Sequence, residues 1–184
     1  MLARAFQYKE ALTRVVVKSL DDPFYDYLWD FYTDFNVNIA DSNCYNQQWV
    51  SLDNTFNVIG YFGAEIDRSC NSVSSIRIAN FCKDKSITFS CDLKEFFIRL
   101  FFRYNYSKID FSVVVGCRNE AIYDKFINRY GGRIVGTFKN HRRLQNGSLV
   151  DMKYYEIAKG KFEDKAKVLH PNQLKKYENK NEKR

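Results

Sequence analysis

Few residues in this sequence are of the types that hold metals or act as nucleophiles. The five cysteines (Cys44, Cys70, Cys82, Cys91 and Cys117) are widely spaced, no C-x-x-C occurs, and His141 and His170 are the two histidines. A zinc site gathers four ligands, usually from short-spaced pairs. The spacing therefore predicts no metal centre, and reduced thiols of which some pack in the core. A Cys–His nucleophile pair has no local support. The carboxylates are more informative. Asp22, Asp26, Asp30 and Asp34 recur every fourth residue and would share one face of a helix. Like charges at that spacing cost roughly a few tenths of a kcal/mol per pair. Such a face is either solvated or offset by a cation, which could be an amine substrate, the basic tail of the chain or a partner.

The charges are polarised. No Lys or Arg falls between Lys18 and Arg68, a stretch that holds nine acids. Residues 139–184 hold 13 Lys and Arg against 6 Asp and Glu, which is the whole net charge of +7. In that basic end the cations alternate with acids and polar residues, as in Lys175-Lys176-Tyr177-Glu178-Asn179-Lys180. This reads as a solvated helix or tail rather than a track for phosphates, and no nucleic-acid-binding motif is visible. Apolar residues make up 45% of the 184, enough for a core, and no apolar run reaches the roughly 18 residues that span a bilayer. Lys9, Glu10 and Arg14 interrupt any signal-peptide core, so a cytoplasmic protein is expected.

The elements that must position these residues follow from periodicity. Residues 14–20 (RVVVKSL) read as a β-branched strand. Asp21-Asp22-Pro23 reads as a helix start, continued to residue 35 by apolar positions at helical spacing. Strands are predicted over 48–52, 58–66 and 74–81, then a linker over 82–91. Asp92, with Glu95 three residues on, reads as the N-cap of an amphipathic helix to residue 104. Residues 108–115 (KIDFSVVV) predict a central buried strand, and 119–130 a helix closed by Gly131-Gly132. Strands over 133–138 and 149–158 are joined around Asn146-Gly147. The fold class is thus α/β (α+β): a mixed sheet with helices on both faces. Residues 1–158 read as a single domain and 159–184 as a basic C-terminal appendage.

Val113 to Phe138 resembles the end of the GNAT family of N-acyltransferases. There a central strand leads into Asn, Ala and an aromatic-bearing helix that ends in Gly, followed by a strand with Val-Gly. Here those are Asn119, Ala121, Tyr123, Gly131 and Val135-Gly136. Asn146-Gly147, Asp151 and Tyr154-Tyr155-Glu156-Ile157 resemble the closing hairpin, and Val58-Ile59-Gly60-Tyr61 the third strand. The flavour is most like small, diverged GNAT-like proteins of phage genomes. The resemblance covers roughly residues 12–158. It implies that the strands 74–81 and 108–115 are parallel neighbours splayed to form a cleft for acetyl-CoA.

The resemblance also assigns roles. The family's pyrophosphate loop usually carries glycines, whose amides bind the anion at a helix N-terminus. The matching segment 82–91 has none, and Lys83, Lys85 and Ser86, with Ser90, stand in. Cofactor binding therefore falls to Lys83, Lys85, Ser86 and Asn119. The family's tyrosine that protonates the departing thiolate lies seven residues after the Asn; that position here is Phe126. Tyr123 is the preferred acid in its place, with Tyr130 beside the Gly as the other candidate. The general base is Glu65, or Asp67. Two functions follow. One is an N-acetyltransferase acting on a cationic amine. The other is a GNAT-like protein that binds or assembles without catalysis, self-associating through the Asp22/Asp26/Asp30/Asp34 face and the basic end.

Overall fold

The computed structural model describes residues 1–19, 45–117, 120–144, 146–172, 174, 175 and 177. The Asp22/Asp26/Asp30/Asp34 face, the helix expected there, and Asn119 lie outside the described residues. Seven strands form one mixed sheet: β1 (Leu2–Arg4), β2 (Asn46–Leu52), β3 (Val58–Asp67), β4 (Ser72–Asn80), β5 (Lys108–Val114), β6 (Arg133–Arg143) and β7 (Leu149–Ala158). Their spatial order is β1-β2-β3-β4-β5-β7-β6. The described helices are α1 (Lys9–Ser19), α2 (Ile87–Ile98), α3 (Glu120–Tyr130) and α4 (Lys159–Leu169). A 3-10 turn (Ala5–Tyr8) precedes α1, and a π-helical turn (Arg99–Arg103) extends α2.

The period-2 alternation of β3 explains the layering. Phe62, Ala64 and Ile66 point to one face and join α2, α3 and α4 in the main core. Tyr61 points to the other and packs with Leu12 and Val16 of α1. Helices therefore cover both faces, as the sequence predicts. The predicted parallel pair is present: β4 and β5 run side by side with Val73 opposite Ile109, and α2 crosses between them. Phe96, Phe97, Leu100 and Phe101 pack in one core with Ile109, Phe111 and Val113. At the end of α3, Gly131 takes φ 74, a conformation that a side chain would strain.

Two local expectations are corrected. The strand expected over 14–20 is helix as far as it is described, because Arg14 to Ser19 belong to α1. Valines lower helix propensity by at most about 0.7 kcal/mol each. Burying a Leu or Val side chain returns about 1.5–3 kcal/mol, and Leu12 and Val16, one helical turn apart, are both buried. Nor does the central helix begin at Asp92. Ser86 is the N-cap, its Oγ accepting the Phe89 amide at 3.1 Å, and the supposed linker is already helical from Ile87. Asp92 is buried mid-helix, where its Oδ2 accepts the Ser51 hydroxyl at 2.7 Å and meets the Met1 amine at 2.9 Å.

The first part of the basic C-terminal segment packs into the body of the fold. Phe162 of α4 is fully buried between Phe101 and Tyr130, with ring centroids 4.5 and 5.0 Å away. Leu174 is buried in the same core.

Candidate active site

Where β4 ends at Asn80, the chain encloses a cleft of about 730 Å³. One wall is the loop 82–86 and the first turns of α2. Ile122, Lys125, Phe126 and Arg129 form the other, brought to one side of α3 by their helical spacing. Tyr130 and His170 also line it. The floor depends on a close approach: a Cβ on Gly60 would come within 2.4 Å of the Phe89 ring, so only glycine lets that ring settle on β3.

The cleft is strongly cationic. Lys83, Lys85, Lys94, Lys125 and Arg129 line it, against Asp84 as the one carboxylate among the described lining residues. Asp92 does not line the cleft. Ser86 lines it too, although its hydroxyl is engaged in capping α2. The first turn of α2 leaves amides without intrahelical acceptors beside Lys83 and Lys85. Cations of this density around a helix N-terminus suit a polyanionic ligand.

The Tyr130 hydroxyl lies 2.7 Å from His170 Nε2. Burial pushes the Tyr130 pKa up. Burial, with Lys94 and Arg129 nearby, holds His170 below its ordinary value. The pair is therefore neutral near pH 7.

The other expected site residues are dispersed. Tyr123 is buried in the core, edge-on to Phe111 at 5.8 Å, and does not line the cleft. Phe126 does line it, its ring tilted against those of Phe97 and Tyr130 with centroids 4.4 and 4.7 Å away. Glu65 lies on the α1 face of the sheet, 2.7 Å from Arg77, beside a small hollow with Gln48 and Tyr61. Asp67 accepts the Ser69 hydroxyl at 2.6 Å, and such bonds hold its pKa at about 2. Lys94, Lys125, Arg129 and His170 were missed in the sequence. The spacing of Ile122, Phe126 and Arg129 signals the α3 wall, whereas nothing local marks His170.

Among the described residues no cluster of His, Cys, Asp or Glu is placed to hold a metal, and no helix is long and apolar enough to cross a membrane. No protein-family model and no curated protein matches the sequence. Solved structures do. A chimera of the Vibrio cholerae spermidine N-acetyltransferase SpeG with hSSAT superposes with TM-score 0.66 at 19% identity, covering 89% of this chain and 99% of that one. A point mutant of the same enzyme gives 0.63 at 16%, covering 93% and 98%. The ribosomal-protein-S5-alanine acetyltransferase of Vibrio fischeri gives 0.54 at 18%, covering 65% and 64%. The fold is that of the GNAT acetyltransferases. In this fold the cleft lies at the C-terminal end of β4 beside the α2 N-terminus, at the segment 82–91 that the resemblance assigns to the pyrophosphate, and no described residue of β5 lines it.

Proposed function

We propose that the protein is an N-acetyltransferase that takes the acetyl group of acetyl-CoA to an amine. The observation that carries this reading is the cationic cleft at the end of β4, on a fold shared with acetyltransferases. Lys83, Lys85 and the first amides of α2 hold the diphosphate. Side-chain charge thus replaces a glycine cradle; lysine does this as a point charge rather than by shape. Acetyl-CoA supplies the thioester.

The amine reaches the thioester from the α1 face, where Glu65 takes the ammonium proton. The nitrogen then attacks the carbonyl carbon and the C–N bond forms; the nitrogen releases its second proton to solvent as the C–S bond breaks. With Phe126 at the family's tyrosine position and Tyr123 in the core, the thiolate leaves as an anion and takes its proton from solvent. A cationic acceptor, of the kind named for the spermidine enzymes of the same fold, fits the stretch of nine acids between Lys18 and Arg68.

Phe126 and the Glu65–Arg77 pair favour a second reading, binding without catalysis. Calorimetry with acetyl-CoA, followed by an acetylation assay with polyamines, separates the two. Binding with acetyl transfer supports the enzyme, binding without transfer the second reading. No binding overturns the first.

A further inference from the structure

We propose that Lys94, Arg129 and His170 form a second anion subsite in the cleft, one that recognises the 3′-phosphate on the ribose of CoA. It is distinct from the diphosphate site at Lys83, Lys85 and the start of α2. The inference rests on the reading of the cleft as an acyl-CoA site.

Three elements far apart in sequence converge here: Lys94 from α2, Arg129 from α3, and His170 just beyond α4. All three line the same cleft, and the charges of Lys94 and Arg129 act on the His170 ring. No described carboxylate pairs with Lys94 or Arg129, whereas Lys108, Arg133 and Lys153 each have such a partner. Asp84, the one acid lining the cleft, sits in the loop with Lys83 and Lys85. Among the described residues the second group thus has no counterion, and a bound phosphate would supply one.

The two groups are also separate in space. Lys94 lies eight residue steps along α2 from Ser86, about 12 Å at 1.5 Å per residue. One diphosphate does not engage both groups fully, whereas a ligand with a diphosphate and a further phosphate on the same ribose does. His170 adds a neutral donor. Its Nε2 faces the Tyr130 hydroxyl at 2.7 Å. When the buried phenol donates to Nε2, the ring hydrogen sits on Nδ1 and is available to a phosphate oxygen.

Calorimetry on the full chain with CoA and with dephospho-CoA, which differ only in this phosphate, tests the subsite. We expect CoA to bind at least about tenfold more tightly. Arg129→Gln and Lys94→Gln should each bring CoA close to the dephospho-CoA affinity and leave dephospho-CoA unchanged. Both residues are at the surface of the cleft, so the variants should fold; circular dichroism verifies this. Equal affinities for the two ligands, or variants that weaken both alike, would overturn the subsite while the acyl-CoA reading stands. Failure of either ligand to bind would overturn both.

Discussion

Gly60 on β3 and Phe89 in the first turn of α2 touch so closely that a methyl group on Gly60 would lie 2.4 Å from the ring. The ring also packs on Phe62, with centroids 5.2 Å apart, and lines the cleft. One glycine therefore sets the depth at which α2 begins. Gly60→Ala should cost about 1–3 kcal/mol as an overpacked core does, and should shift the helix N-terminus that faces the ligand. Thermal melts and acetyl-CoA calorimetry should both register the change. A variant with an unaltered melting temperature would show that the ring moves aside freely.

Side-chain charge replacing a glycine cradle has a signature in salt. Lysines attract phosphates over distance, and this attraction is screened with a length of about 8–10 Å at physiological ionic strength. Acetyl-CoA affinity should therefore fall steeply as salt rises. Replacing Lys83 and Lys85 by Ala should weaken binding by at least about tenfold and flatten that dependence. Tight binding that survives the double substitution would place the diphosphate elsewhere.

The sheet was legible where side-chain period and burial agree. Ile109, Phe111 and Val113 of β5 alternate and all face the core, and α3 ends at the expected glycine. The start of α2 was not legible, since Ile87, Thr88 and Phe89 read as strand-forming residues and the capping Ser86 lacks the glutamate that completes a capping box. Asp92 carried that signal falsely, because its carboxylate serves Ser51 and the Met1 amine instead of a helix end. Half of the cleft was hidden for a different reason. Arg129 and His170 meet only through tertiary packing, with Phe162 seated between Phe101 and Tyr130 holding α4 in place. No local pattern encodes such a contact.

Glu65 separates catalysis from structure in one substitution. As the general base, it should lose about 10²–10⁴-fold in kcat on replacement by Gln, with acetyl-CoA affinity unchanged. Its contact with Arg77 is an exposed strand pair at 2.7 Å, worth about 0–1 kcal/mol at most. A variant with full activity would leave Glu65 as a partner of Arg77 alone.

Mild acid should weaken the fold through His170. Burial, then the charges of Lys94 and Arg129, hold its imidazole below the ordinary value of 6.5. In the unfolded chain the ring takes up its proton near pH 6.5; in the folded chain it does so only at lower pH. Between those two points the unfolded state binds more protons, so stability rises with pH there. The full stability is present above about pH 6.5 and declines as the pH falls toward the folded value. The groups around the ring do not share in this. Tyr130, its pKa pushed up by burial, stays neutral. Urea midpoints measured at pH 7.5 and 5.5 should fall further for the natural protein than for His170→Gln, which has no proton to gain. Equal losses in the two would mean that the ring titrates in the folded protein as it does in the unfolded chain, and that the Tyr130 contact does not bury it.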